Sequence, residues 1–147
     1  MHFIDFSFEI ITKVEEVDIN TLVCHEEVVE DRLNSLVSYL KTLEGDLIIS
    51  SIIVCDSSMI IIDGHHRFHA LKQFGLKRVP VTFVKYNSPE ISAYFDDRIS
   101  KKQVIEIVNN GKLLPPKSTK HVIWDKKSNK YMPILLLSTL WYCNLEL

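Results

Sequence analysis

The sequence predicts an α+β protein, a small mixed sheet with packed helices. Three observations carry this. Strand-like and helix-like periods alternate along the chain, which mixes the two element types within one unit. Two β-branched runs, Leu47 to Val54 and Met59 to Ile62, are separated only by Asp56-Ser57-Ser58, the pattern of a hairpin and not of a purely parallel sheet. Each helical segment carries its own start or stop signal.

Taken in order, Phe6, Phe8 and Ile10 alternate with Ser7 and Glu9, the period of a half-buried strand. Leu33, Leu36, Val37, Leu40 and Leu43 then fall at helical spacing with Gly45 behind them, predicting an amphipathic helix over Glu30 to Leu43. After the hairpin, Phe68, Leu71 and Phe74 make one face of a helix from Arg67 to Phe74, closed by Gly75. Val79 to Tyr86 reads as a strand, and Pro80 places its beginning at an edge. Ser100 with Gln103 forms a capping box for a helix carrying Val104, Ile107 and Val108 that ends at Gly111. Leu113 to His121 is a proline-stiffened polar loop. The tail from Tyr131 to Leu147 is too apolar to hang in water. Its bland reading is a final core element on the sheet; its sharper reading is a dimer surface, which would make the protein a homodimer.

At 147 residues the chain fits one domain, 1–147. With 46% hydrophobic and 24% charged residues it can bury a core and is not a disordered tail. A formal charge of -2 argues against a general grip on nucleic acid, which needs a basic excess. Cys24, Cys55 and Cys143 form no Cys-x-x-Cys pair and read as reduced thiols of a cytoplasmic protein. The opening Met1-His2-Phe3-Ile4-Asp5 lacks the basic start of a signal peptide, and the apolar stretch Met132 to Cys143 is too short to span a bilayer, so no membrane partner is expected.

Three polar clusters interrupt this apolar chain. The first, Asp63-Gly64-His65-His66-Arg67, lies where an apolar strand turns into a helix. Free N–H groups, the positive end of a helix dipole and cationic side chains meet there, and phosphate is the ligand such a point fits. Gly64 lets an anion approach the backbone, Arg67 offers a two-pronged grip and the imidazoles can donate. A plain helix cap by Asp63 is the weaker reading, because a cap does not require His-His-Arg beside it. His69, a turn further on, reads as a surface residue. The second cluster is Cys24-His25-Glu26-Glu27. Either glutamate could cap the helix, and a lone carboxylate beside a phosphate site could instead act as a base for a hydroxyl or help to hold magnesium. From spacing alone the cap comes first. His25 and His65 could join Glu26 around a metal, though no His-x-x-x-His spacing supports zinc. The third is Lys117-Ser118-Thr119-Lys120-His121, behind Pro115-Pro116, where cations and hydroxyls on a stiffened loop suit a phosphate or carboxylate.

In this order, His25-Glu26, Asp63-Gly64-His65-His66-Arg67 and Pro116-Lys117-Ser118-Thr119-Lys120-His121 resemble the ParB/sulfiredoxin-like superfamily and, within it, the free L-serine kinases; the shared pattern covers most of Leu22 to Val122. The resemblance implies the ParB N-terminal domain/sulfiredoxin-like fold. It implies phosphoryl transfer from ATP or ADP, with Mg2+, to the hydroxyl of free L-serine or a related hydroxy amino acid. Glu26 and Asp63 would be catalytic, Glu26 as base. Gly64, His65, His66 and Arg67 would hold the nucleotide phosphates, and Lys117 to His121 would handle the substrate. No metal ligand set is assigned.

Three departures stand out. Lys120 occupies a position where the family has arginine, the stretch Asn87 to Ile99 is short, and the family's substrate-binding tryptophan has only Tyr94 or Phe95 nearby. They leave an alternative: a non-catalytic ParB-like nucleotide-binding module, a sensor or partitioning-type regulator. A DNA-partitioning protein would need a second domain and more positive charge. Sulfiredoxin-like thiol chemistry would need a cysteine where His65 and His66 stand.

Overall fold

The computed structural model describes residues 1–96 and 98–145. A four-stranded mixed sheet has the order β1-β5-β3-β4, built from β1 (Ile11–Asp18), β3 (Ile52–Cys55), β4 (Ile61–Asp63) and β5 (Arg78–Val84). β3 pairs in parallel with β5, and the other two pairings are antiparallel. The helices α1 (Glu30–Lys41) and α2 (His65–Gln73) cover one face, and α3 (Lys101–Asn109) sets Val108 against the core on the other. A three-stranded meander of β6 (Ile91–Ser92), β7 (Val122–Asp125) and β8 (Lys130–Pro133) and a two-stranded ribbon of β2 (Asp46–Ser50) with β9 (Leu140–Asn144) complete the fold.

Both faces of the sheet are buried, which explains the unbroken apolar runs in its strands. Ile52, Val54, Ile61, Val81 and Phe83 point into a core with α1 and α2; Ile53, Cys55, Ile60, Ile62 and Val84 point into a second core with Ile123, Ile134 and Leu137. Alternation along each strand thus divides the same apolar run between two cores.

The α+β class, the hairpin of β3 with β4, the helix after Val29 and the Ser100–Gln103 capping box all appear as the sequence predicts. Pro80 also has its reason. β5 is interior, but β3 joins it only from Val81 onward, so the strand's beginning has a neighbour on one side alone.

Several details differ from expectation. Phe8 to Ile10 form a 3-10 turn in place of a strand, and Phe8 is exposed. The first strand is the following Ile11–Asp18, whose Lys13, Glu15 and Glu16 mark a solvated edge of the sheet. The run from Leu47 to Val54 is two strands in two sheets, broken at buried Ser51. There the Ser51 N–H donates to the Thr139 carbonyl at 2.8 Å, and its hydroxyl lies 2.7 Å from that of Thr82. β7 and β8, which the charges of Asp125 to Lys130 conceal, had no counterpart in the sequence reading. In the tail, Ile134 and Leu137 are core residues, whereas Leu140 and Tyr142 of β9 remain exposed.

Candidate functional site

The site forms where β4 becomes α2. Gly64 adopts φ 113°, a conformation open to glycine, and acts as the N-cap residue, so α2 begins at His65, two residues earlier than expected. The first-turn N–H groups of the helix have no acceptor within it and present partial positive charge. A Cβ on Gly64 would stand 2.8 Å from Arg67 Nη2.

A second segment is carried to this helix start. Residues 22–28 run extended between β4 and the loop before the third cluster. Val23 N donates to the Met59 carbonyl at 2.9 Å and Ile61 N to the Val23 carbonyl at 2.8 Å. On the other side Leu114 N donates to the His25 carbonyl at 2.8 Å and Glu27 N to the Leu114 carbonyl at 2.9 Å. Clamped on both sides, Glu26 meets the third cluster. Its Oε1 accepts from Thr119 N at 2.8 Å and lies 3.2 Å from the Thr119 hydroxyl.

All three clusters meet around one cavity of about 250 Å³. Glu26, Asp63 to His66 and Thr119 to His121 line it, and Pro133 to Leu135 supply an apolar wall. A larger cavity of about 770 Å³, between Cys55, Tyr86 and Lys101, holds none of the three clusters. The two approach each other at Tyr86, whose hydroxyl lies 2.7 Å from His121 Nε2.

The cluster residues do not all face the cavity. Arg67 turns away: its Nη2 donates to Asp63 Oδ2 at 3.2 Å and to the Ser51 carbonyl at 3.4 Å, on the side of α1 and β2. It stabilises the turn instead of joining the cavity wall. Lys117, at φ 64°, and Ser118 also lie outside, and the Ser118 hydroxyl donates to the Pro115 carbonyl at 2.6 Å. Both histidines at the helix start line the cavity with Nε2 already engaged as acceptor, His65 from His25 N and His66 from Val29 N, each at 3.1 Å. These bonds fasten α2 to the extended segment and to the start of α1. Anion contact at the helix start is then left to backbone N–H groups, to Lys120 and to the Nδ1–H that this tautomer keeps on each ring.

His25, His65 and His121 form a buried imidazole group, with ring centroids 4.5 Å apart for His25 and His65 and 5.5 Å for His25 and His121. Burial lowers the pKa of His25 to about 4, and it lowers His65 and His121 well below the usual value, so all three are neutral near pH 7. Glu26 moves upward, first through burial. The Thr119 and Ser118 contacts oppose the rise and the Asp63 charge adds to it.

His25 and Thr119 are the residues whose importance exceeds their sequence reading. The sequence offers His25 as a possible metal ligand beside Glu26 and Thr119 as a hydroxyl of the substrate loop, and their contact with each other, 94 positions apart, leaves no local signal. Among the described residues, no group of three or more His, Cys, Asp or Glu side chains is gathered for a metal ion, and no helix is long and apolar enough to cross a membrane.

No family model matches the chain. It is 33% identical over 87 residues to a ParB-like protein of Sulfolobus acidocaldarius and 30% identical over 89 residues to an ATP-dependent L-serine kinase of Staphylothermus marinus. These matches cover 59% and 58% of this chain but only 42% and 32% of the relatives' own lengths. Among solved structures, a free serine kinase in complex with AMP superposes with TM-score 0.66 and 15% identity, over 88% of this chain and 96% of that one. The chain has the ParB/sulfiredoxin-like fold. The same fold, with TM-score 0.58 and 16% identity, relates it to C-terminally truncated SbnI of Staphylococcus aureus, over 84% of this chain and 88% of that one. Within this fold, the cavity with Glu26 lies at the junction of β4 and α2.

Proposed function

We propose that this protein is a small-molecule kinase that transfers the terminal phosphoryl group of ATP or ADP to the hydroxyl of free L-serine, giving O-phospho-L-serine. The observation that carries the reading is Glu26. Its carboxylate is partly desolvated, fixed by the Thr119 N–H, and shares one cavity with the start of α2. A base and an anion cradle side by side are what phosphoryl transfer to a hydroxyl requires. Similarity to proteins named ATP-dependent L-serine kinase supports the substrate and a nucleotide donor.

In this reading the serine oxygen attacks the terminal phosphorus while its proton passes to Glu26, and the bond to the nucleotide breaks with its electrons leaving on the nucleotide oxygen. The N–H groups at the start of α2, around Gly64, His65 and His66, and the ammonium of Lys120 offset phosphate charge. Lys117, Ser118, Thr119 and His121 belong to the loop that closes the substrate side, and Arg67 holds the turn through Asp63. The donor set fits magnesium, which takes one or two carboxylates and completes its shell with phosphate oxygens. Asp63, with a side chain 37% exposed, would hold the ion, which supplies charge neutralisation when bound.

The test is a phosphorus NMR assay with magnesium and L-serine, supplying ATP and ADP in separate tubes, beside a Glu26→Gln control. Phosphoserine in one tube, lost at least 100-fold in the control while nucleotide still binds, is expected; a general base alone contributes on the order of 10²–10⁴. Nucleotide binding without phosphoserine in either tube overturns the kinase reading. It would leave the non-catalytic nucleotide-binding module that similarity to a ParB-like protein favours.

A further inference from the structure

The hydrogen-bond directions around Thr119 do not balance for an ionised Glu26, and this imbalance has a consequence. His25 is wholly buried, and its Nδ1 lies 2.7 Å from the carbonyl oxygen of Ile61. A carbonyl only accepts, so Nδ1 carries a proton. In neutral His25, Nε2 is then bare and must accept. Among the described residues its partner is the Thr119 hydroxyl at 3.0 Å, which has a single proton to give. The same hydroxyl oxygen lies 3.2 Å from Glu26 Oε1. An ionised Glu26 and the bare Nε2 therefore compete for that one proton, and whichever does not receive it faces a hydroxyl lone pair. Once Glu26 is protonated, its new O–H donates to Thr119, the Thr119 proton goes to His25, and both contacts are satisfied.

We propose that His25 and Thr119 are positioning residues that set the proton affinity of Glu26: the chain from the Ile61 carbonyl through His25 and Thr119 is fully satisfied only once Glu26 has taken up a proton. This deepens the kinase reading of the same cavity and rests on it for the source of that proton. The serine hydroxyl loses its proton to Glu26 as the new O–P bond forms, and that proton completes the chain through Thr119 to His25. An interaction that strengthens as the reaction proceeds accelerates the step, whereas one present throughout does not. The Thr119 N–H keeps the carboxylate in place in both states.

Other charges bear on the pair. Asp63 and Lys120 share the cavity wall with Glu26. His65 and His121 press on His25 from α2 and from the loop. Both imidazoles are neutral near pH 7, so neither forces a second proton onto Nε2 or takes the Thr119 proton from it.

The first measurement needs no activity. Nitrogen-15 NMR of the imidazoles of the wild-type protein at pH 7 is expected to show His25 protonated on Nδ1 and bare on Nε2. The opposite tautomer, or an imidazolium, overturns the proposal. The second compares Glu26 titration, read from its side-chain carboxyl carbon, in wild type, Thr119→Ser and His25→Gln. Glutamine can place an N–H donor where Nε2 stood, which turns the Thr119 hydroxyl toward Glu26. The midpoint is expected to fall by at least half a pH unit in His25→Gln and to stay in place in Thr119→Ser. An unchanged midpoint in a folded His25→Gln variant overturns the inference, and if that variant fails to fold, the wild-type tautomer decides. Where phosphoserine is formed, the acidic limb of kcat/KM should follow the same midpoints. The titrations succeed or fail without turnover, so loss of the kinase reading would be seen separately.

Discussion

Gly64 concentrates several demands in one residue. Its φ of 113° ends β4 and starts α2 within a single step, and the space above its Cα is taken by the guanidinium of Arg67. Gly64→Ala is expected to lose about 1–2 kcal/mol from backbone strain. Arg67 must also leave Asp63 to make room, so nucleotide affinity should fall with stability. Urea unfolding and a nucleotide titration on the same variant check both. Stability equal to wild type would show that the turn relaxes freely. Glu26 and Arg67 show how far residue-level reading reaches. The carboxylate beside a phosphate motif was legible as a base or a cap, and the tie from Thr119 favours the base. Arg67 was legible as a phosphate grip, but its side chain satisfies Asp63 and the Ser51 carbonyl, a competition that residue type alone does not reveal.

Among the elements, α3 is the most self-contained. The Ser100 hydroxyl accepts from Gln103 N at 3.1 Å and the Gln103 side chain accepts from Ser100 N at 2.7 Å, closing both ends of the capping box. Ser100→Ala should cost about 1 kcal/mol in thermal or urea unfolding and leave nucleotide binding unchanged, because α3 lies outside the Glu26 cavity. Ser51 is the opposite case, since every partner is distant in sequence. Its carbonyl accepts from the Ser138 hydroxyl at 2.8 Å and its own hydroxyl accepts from Thr139 N at 2.9 Å. Ser51→Ala leaves buried polar groups unmatched and is expected to destabilise by about 1–3 kcal/mol. Hydrogen exchange should then rise first in β2 and β9; a uniform rise would mean that the ribbon is not a separate unit. Local signals thus made α3 legible to the residue, whereas the break between β2 and β3 could not be read. An apolar run looks the same whether it serves one sheet or two.

For the whole molecule, the buried imidazoles govern the response to acid. Unfolded histidine titrates near 6.5, while His25 in the fold titrates near 4. Between these values the unfolded chain binds the proton and the native state does not, so stability falls as pH drops from 6.5 toward 4. His25 alone accounts for roughly 3 kcal/mol over that window. His65 and His121 act in the same direction, and Glu26, raised in the fold, opposes them with a single proton. Urea unfolding at pH 7 and pH 5 should show a clear loss at pH 5, and equal stabilities would mean that the imidazoles are already charged or solvated.

What the sequence determined by itself is whatever local chemistry writes locally: the α+β class, the hairpin, the capped helices, and three clusters apt for phosphate and proton transfer. Their periods and caps depend on neighbours three or four residues away. Only the tertiary structure decided that these clusters share one cavity, that His65 and His66 spend their Nε2 atoms on backbone N–H groups, and that Thr119 lies between His25 and Glu26. The last two are hydrogen bonds across dozens of residues. Their directions follow from how β4, α2 and the loop after Pro116 pack around one buried imidazole, and packing of that kind leaves no period in the chain to read.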